Sequence, residues 1–230
     1  MFDKKIVVET IRRCKEPVLL YCLFFLPPIL QSRVPTGLEF NHPQFLLITT
    51  LTALFQILLV FYLLSSVGNR RLELYGFLSF QVKDVFWGIG GWIFLLILVG
   101  ILSFAVQDRI DPPFQWRFFR FDLLPLLILA LGMGAFFEEL FFRGYLFQEL
   151  LSLSVPLPGA FGITTLAFAA GHVYQGWWGI FLSFLLGTVL LTLRIRTGSL
   201  WAPTVAHGLY NLTVLLIDAL INIPRSIGSV

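Results

Sequence analysis

Residues 123–151 read LLPLLILALGMGAFFEELFFRGYLFQELL. A helix needs roughly 20 mostly apolar residues to cross the hydrocarbon core of a bilayer, and this stretch is long enough. It also carries two adjacent acids, Glu138 and Glu139, and one base, Arg143. Ionisable groups inside a membrane are costly, and they usually mark a site that the protein uses. This stretch therefore predicts a membrane helix that contributes to a functional site.

The whole chain has the composition of a membrane protein. Of its 230 residues, 57% are hydrophobic and 13% are charged, whereas about a quarter of a soluble domain is charged. No charged linker, low-complexity tract or repeat divides it, so we expect one transmembrane domain over residues 1–230. The net charge of +3 is small, and the basic residues lie in short connectors. This pattern indicates contact with a lipid bilayer and no nucleic-acid partner.

Apolar runs predict an all-α, polytopic bundle of about seven transmembrane helices, with six as the alternative. The first run, Val18–Leu30, is short and contains Pro27 and Pro28, so it either just crosses the membrane or lies partly in the interface. A cleaved signal peptide is less favoured, because no small-x-small cleavage site follows the run. The other predicted spans are Gln44–Gly68, Val85–Gln107, Leu123 to about Leu151, Gly159–Tyr174, Trp177–Leu193 and Leu200–Ile223.

The lysines and arginines indicate an orientation. With seven spans, the basic groups before the first span, after the second and after the sixth share one side of the membrane. Basic connectors favour the cytoplasm, so we expect a multi-pass protein with a cytoplasmic N-terminus. The connector Arg109–Arg120 lies on the other side and argues against this orientation, although nearby aspartates dilute its charge.

Polar residues from three predicted helices fall at a similar depth. Glu138 and His172 each lie about 13 residues from the connector between their helices, or near 20 Å at about 1.5 Å per residue. By the same rise, His207 and Asn211 lie about 12 Å and 18 Å from the same membrane face. Two of the three histidines are thus inside predicted spans. We expect one polar layer that opens toward the cytoplasm.

The spacing around the two glutamates suggests different tasks for them. Glu139 and Arg143 are four residues apart, with the acid on the N-terminal side, which favours an ion pair. Glu138 points about 100° away and has no partner on its own helix, so it is free to act as a general base. Taken alone, the ion pair has an ordinary structural explanation.

The other polar residues are also four apart. His207 and Asn211 project from one helix face, and Phe168 and His172 share another. Any one of them could simply join helices by a hydrogen bond, but their combination with Glu138 favours a functional site. Small residues that let membrane helices approach closely accompany each group: Gly132, Gly134, Ala135, Ala167, Gly171, Ala202 and Ala206.

Three motifs carry a family resemblance. Residues 138–144 read EELFFRG, 168–172 read FAAGH and 207–211 read HGLYN. In order and spacing, these EExxxR, FxxxH and HxxxN/D motifs resemble the CPBP intramembrane proteases. This family is also called the CAAX protease and bacteriocin-processing (Abi) family, and it includes the eukaryotic Ras-converting endopeptidase. The resemblance covers about residues 123–215, the expected protease core, and the N-terminal half offers no motif.

The resemblance implies hydrolysis of a peptide bond in a membrane protein or peptide substrate. It implies that Glu138 activates the attacking water and that His172 helps to hold it. His207 and Asn211 would stabilise the oxyanion of the tetrahedral intermediate. The remaining motif residues would organise the site: Glu139, Arg143 and Phe168.

The resemblance leaves the question of a metal open. The family has been classed as metalloproteases, and Glu138, His172 and His207 could together hold zinc. However, the chain has no HExxH motif. Asn211 is an amide that donates well to an oxyanion but is a poor zinc ligand. We therefore expect no metal cofactor, with zinc as the alternative.

Two other classes of function stay possible. A non-catalytic membrane protein could provide immunity to a bacteriocin or peptide, or act as a scaffold, as some members of the resembled family suggest. A proton-coupled transporter could also use Glu and His relays. A transporter would spread its polar groups through the membrane and often shows inverted repeats. The clustering of polar residues and the lack of a repeat favour the protease.

Overall fold

The computed structural model describes residues 15–27, 42–67, 71–77, 80–105 and 121–221. Every regular element in these ranges is helical, as the sequence predicts. The Arg109–Arg120 connector and the predicted span ends at Leu30, Gly68, Gln107 and Ile223 lie outside the described residues. The α-helices are α1 (15–27), α2 (Pro43–Tyr62), α3 (Val82–Ala105), α4 (Leu124–Glu139), α5 (Phe147–Ser152), α6 (Leu157–Ala170), α7 (Gly176–Thr197) and α8 (Trp201–Ile221).

Helix ends follow the local sequence. Pro43, Pro125 and Pro158 lie in the first turns of α2, α4 and α6, where the missing N–H of proline costs no helical hydrogen bond. Helix α7 ends at Gly198, whose φ of 70° is left-handed. Glycine adopts this conformation without a Cβ clash, and its N–H caps the carbonyl of Arg194.

Four helices among the described residues are long and apolar enough to cross a membrane. They are Pro43–Ser65, Val82–Phe104, Leu124–Ser152 and Val173–Thr197. Helix α6 is apolar but shorter, and α1 and α8 border residues outside the described ranges. Helices are nevertheless present at all seven places where the sequence predicts a span. The protein is therefore a polytopic helical membrane protein, while seven full crossings stay a prediction.

Glycines on α3 allow α8 to approach closely. A Cβ added at Gly88 would lie 2.6 Å from the Cβ of Val205 and 2.9 Å from the carbonyl oxygen of Ala202. A Cβ at Gly91 would lie 2.5 Å from Cδ1 of Leu193 on α7. Such contacts leave no room for a larger residue, which is how small residues hold membrane helices together. Helix α8, which carries His207 and Asn211, is thus held tightly by α3.

The small residues of α4 behave differently from the prediction. Added Cβ atoms at Gly132 and Gly134 would meet nothing within 4 Å, so these two glycines make no close helix contact. Ala135 is buried, and its Cβ would lie 4.0 Å from a Cβ added at Gly208 of α8. The close approach of α4 and α8 therefore occurs at Ala135, on another face of the helix.

Candidate active site

A π-helical segment, Leu140–Leu146, connects α4 to α5 and holds most of the EExxxR motif. Glu139 is the last residue of α4, and Arg143 lies in the middle of the π-helical segment. All seven residues of the segment are buried. Wide helical turns of this kind are rare, and they are frequent at functional sites.

Arg143 joins three helices at the centre of the protein. Its Nη1 donates to Oε1 of Glu139 at 2.9 Å, and both side chains are 0% exposed. Its Nη2 donates to the carbonyl oxygen of Gly187 on α7 at 3.4 Å. The guanidinium carbon lies 4.2 Å from the ring centre of Phe168 on α6, a cation–π contact that is stronger when it is desolvated. The expected Glu139–Arg143 ion pair is present.

His207 of α8 uses the same carboxylate oxygen. Its Nδ1 lies 2.8 Å from Oε1 of Glu139, and the side chain is 2% exposed. A carboxylate accepts hydrogen bonds, so Nδ1 carries the hydrogen. Nε2 is then the ring nitrogen available for other contacts. Glu139 thus orients the arginine and the imidazole together, in the way that outer carboxylates orient functional histidines.

Glu138 approaches the other nitrogen of the same imidazole. Its Oε2 lies 3.8 Å from Nε2 of His207, which is longer than a hydrogen bond. This oxygen is buried and has no hydrogen-bond partner within the described part of the chain, although 25% of the side chain is exposed. The two adjacent glutamates therefore diverge, as their helical offset predicts. Oε2 of Glu138 and Nε2 of His207 are thus neighbouring polar atoms without a hydrogen bond between them.

His172 lies just after α6 and not inside a spanning helix. The predicted span Gly159–Tyr174 is helical only to Ala170. Nδ1 of His172 lies 2.9 Å from the carbonyl oxygen of Phe168, while its backbone N–H donates to Ala169. The side chain thus takes the carbonyl that the next helical turn would use, which explains why the helix ends. Because a carbonyl only accepts, Nδ1 carries the hydrogen, and Nε2 of His172 is left for other contacts.

Phe168 brings the three motifs together. Its ring centre lies 4.7 Å from that of His172 and 5.9 Å from that of His207. The same ring contacts Arg143, as described above, and it is fully buried. The aromatic residue of FxxxH therefore contacts residues of both the first and the third motif. Asn211 lies one turn beyond His207 on α8 and is half-buried.

Residues 120–213 match the family model described as Rce1-like, type II CAAX prenyl endopeptidase. Over this segment, which is less than half of the chain, the protein is similar to the Rce1-like family. The match includes all three motifs, and it confirms the resemblance that they carry. Comparison with curated proteins and with solved structures gave no match. The description of the matched family is that of a protease, and the apolar helices make the chain an integral membrane protein.

Tyr174, which the sequence analysis did not identify as a site residue, lies beside the site. The ring of Tyr174 stacks on His172, with ring centres 6.1 Å apart. Its hydroxyl oxygen accepts a hydrogen bond from Nε2 of Gln175 at 3.1 Å. A tyrosine at the end of a predicted span is usually an interfacial anchor. The sequence signal for its contact with His172 is the spacing of two residues between them.

The alternative zinc ligands are Glu138, His172 and His207. In the described ranges, no three side chains of His, Cys, Asp or Glu are grouped so that they could hold a metal ion. Nδ1 of His207 is occupied by Glu139, and Nδ1 of His172 is occupied by a carbonyl. On each histidine, Nε2 is therefore the ring nitrogen through which a metal would have to bind.

Proposed function

We propose that this chain is an intramembrane endopeptidase that hydrolyses a peptide bond of a membrane-associated or lipidated protein, with water activated by Glu138. One observation carries the proposal. Oε2 of Glu138 is buried without a hydrogen-bond partner and lies 3.8 Å from Nε2 of His207. A general base and an electrophilic group that face the same space are what acyl transfer to water requires.

The reaction can be written with each proton accounted for. Glu138 takes a proton from water while the water oxygen bonds to the carbonyl carbon of the substrate. The π electrons of the carbonyl move to its oxygen and form the oxyanion, to which Nε2–H of His207 and the carboxamide of Asn211 donate. The intermediate then collapses, the carbon–nitrogen bond breaks, and Glu138 returns its proton to the leaving amine.

Charge balance supports a protonated His207 in this role. Nδ1 already donates to Glu139, so donation from Nε2 as well requires the imidazolium form. Glu138 and Glu139 carry two negative charges, and Arg143 supplies one positive charge. An imidazolium at His207 makes this mostly buried group neutral, and buried charges need such compensation. Glu139 would then stabilise the catalytic charge state as well as the ring orientation.

His172 would hold the water. Its Nδ1 donates to the carbonyl of Phe168, so the neutral ring presents Nε2 as an acceptor. This nitrogen would accept a hydrogen bond from the second O–H of the attacking water and so direct the water's lone pair toward the substrate. The tilted contact of His172 with the ring of Phe168 would help to fix this direction.

The other two classes of function fit the geometry less well. A transporter needs polar groups spread along a path, whereas here Glu139, Arg143, Phe168 and both motif histidines form one contiguous cluster. A scaffold or an immunity protein has no need of a buried carboxylate without a partner, because such a group lowers stability. We therefore favour the enzyme.

The substrate class follows from the family alone. The description of the matched family is that of a CAAX prenyl endopeptidase, so a prenylated CAAX peptide is the first probe. The purified protein would be incubated with a farnesylated CAAX peptide in water enriched in ¹⁸O, and the masses of the products would be measured by mass spectrometry. We expect cleavage with one ¹⁸O in the new carboxylate. Absence of cleavage of both the farnesylated peptide and its unprenylated counterpart would favour the immunity or scaffold alternative.

We also propose a cytoplasmic N-terminus and a site that opens toward the cytoplasm, as the distribution of lysine and arginine indicates. A cysteine introduced at position 5, in place of Lys5, would be labelled by an impermeant maleimide only after the membrane is opened. Labelling of intact cells at this position would reverse the orientation.

A further inference from the structure

Helix α1 lies outside the segment that matches the family, yet it contacts two of the three motifs. The hydroxyl of Tyr21 donates to the carbonyl oxygen of Ala167 at 3.0 Å, one residue before the FxxxH motif. A Cβ added at Gly171, inside that motif, would lie 3.4 Å from Cδ1 of Phe25. Helix α1 therefore packs directly on the turn that carries His172.

The carbonyl groups at the end of α6 show how this contact reaches His172. The last carbonyls of a helix lack helical partners and must find others. The carbonyl of Ala167 accepts from the N–H of Gly171 and from Tyr21. The carbonyl of Phe168 accepts from Nδ1 of His172, and that of Ala169 accepts from its N–H. Among the described residues, Tyr21 is the contribution from another helix to a set of hydrogen bonds that otherwise lies within the turn.

The same helix also contacts the π-helical segment. The ring of Phe25 lies 4.8 Å from that of Phe142 and 5.3 Å from that of Phe141. Phe142 in turn packs edge-on against Phe168, with ring centres 5.1 Å apart. Aromatic contacts of this kind fix relative orientation. Helix α1 therefore connects the helix of Glu138 with the turn of His172 through one continuous aromatic layer.

We propose that Tyr21 is a positioning residue for His172 and that α1 is part of the catalytic unit. The Tyr21 hydroxyl holds the last turn of α6, and this turn holds Nδ1 of His172 against the carbonyl of Phe168. The direction of Nε2 toward the water then depends on a residue far from the motifs in sequence. The catalytic part of this inference rests on the proposed function, whereas the geometric part does not.

The test uses Tyr21→Phe, which removes one oxygen and keeps the ring contacts. Tyr62→Phe on α2 is the matched control, because Tyr62 is 57% exposed. Protein labelled with ¹⁵N-histidine contains only three imidazoles, which can be assigned by single substitutions. We expect Tyr21→Phe to shift the ring signals of His172 and to leave those of His42 unchanged. The control should shift neither.

Kinetics with the farnesylated CAAX peptide give the second readout. Tyr21→Phe should lower kcat by up to about 100-fold with little change in KM, because a small misplacement of a catalytic group acts on the transition state. Unchanged His172 signals would overturn the proposal. If Tyr21→Phe does not fold, the His172 ring signals would be measured in Phe25→Leu. Unchanged signals in that variant would equally overturn the proposal. Shifted signals in a protein that cleaves no peptide would support the positioning role and contradict the proposed function.

Discussion

The imidazole of His207 donates to Glu139 across 68 positions of sequence, with Nδ1 2.8 Å from Oε1. Arg143 donates to the same oxygen at 2.9 Å. One buried carboxylate oxygen therefore joins the first and third motifs. This sharing separates the two adjacent glutamates by task, since Oε1 of Glu139 accepts from both Arg143 and His207. Among the described residues, Oε2 of Glu138 and Oε2 of Glu139 have no hydrogen-bond partner.

Replacement of Glu139 by Gln should damage folding more than chemistry. The change leaves Arg143 buried without its counter-charge, and removal of one partner from a buried pair costs about 3–5 kcal/mol. We expect a lower yield of folded protein and a lower midpoint of thermal unfolding. Glu138→Gln is the matched control, and it should leave yield and midpoint near those of the wild type. The opposite pattern would mean that the roles of the two glutamates are reversed.

Gly187→Ala should destabilise the packing around Arg143. The added Cβ would lie 3.1 Å from Cδ1 of Phe168 and 3.2 Å from Cγ2 of Thr165. Crowding of this kind in a packed core costs about 1–3 kcal/mol. Gly100→Ala on α3 is the control, since its Cβ would meet nothing within 4 Å. The midpoints of thermal unfolding of the two variants would be compared in detergent. Equal midpoints would show that the helices around Gly187 can move apart without loss of stability.

Much of this arrangement follows from sequence, and the remainder depends on contacts between distant residues. Apolar runs predict where the helices lie, and a spacing of four predicts the Glu139–Arg143 pair. The π-helical segment is not predictable in this way, because its hydrogen-bond pattern is set by the residues packed around it. The end of α6 before His172 depends on a side chain that competes for a carbonyl. The pairing of His207 with Glu139 requires α4 and α8 to be adjacent, and no local sequence pattern predicts which helices are neighbours.

Removal of metal should leave hydrolysis intact. The reason is that Asn211 follows His207 by one turn, and an amide suits an oxyanion better than it suits zinc. The measurement is the rate of peptide cleavage after exhaustive chelation, together with elemental analysis, because a buried metal can resist chelators. Zinc at one ion per chain in active protein, with activity that is lost on its removal and restored on its return, would overturn the metal-free mechanism.

Asn211→Ala should act on the transition state. Loss of one oxyanion donor costs about 2.7–4 kcal/mol, or about 10²–10³-fold in kcat, and leaves KM nearly unchanged. Steady-state kinetics on the farnesylated peptide would measure both constants. A mechanism centred on zinc instead expects a milder loss at Asn211 and the loss of bound metal in His207→Ala. A folded Asn211→Ala variant with the wild-type kcat would remove Asn211 from the mechanism.

The most direct test of the central claim is the single-turnover rate of peptide cleavage by Glu138→Gln. This substitution keeps the size of the side chain and removes the base, so the rate should fall by about 10²–10⁴-fold, the usual contribution of general base catalysis. Glu73→Gln is the matched control, because Glu73 is exposed and pairs with the exposed Arg71 at 3.9 Å. The account predicts wild-type rates for Glu73→Gln and a near-complete loss for folded Glu138→Gln. A wild-type rate for folded Glu138→Gln would contradict it.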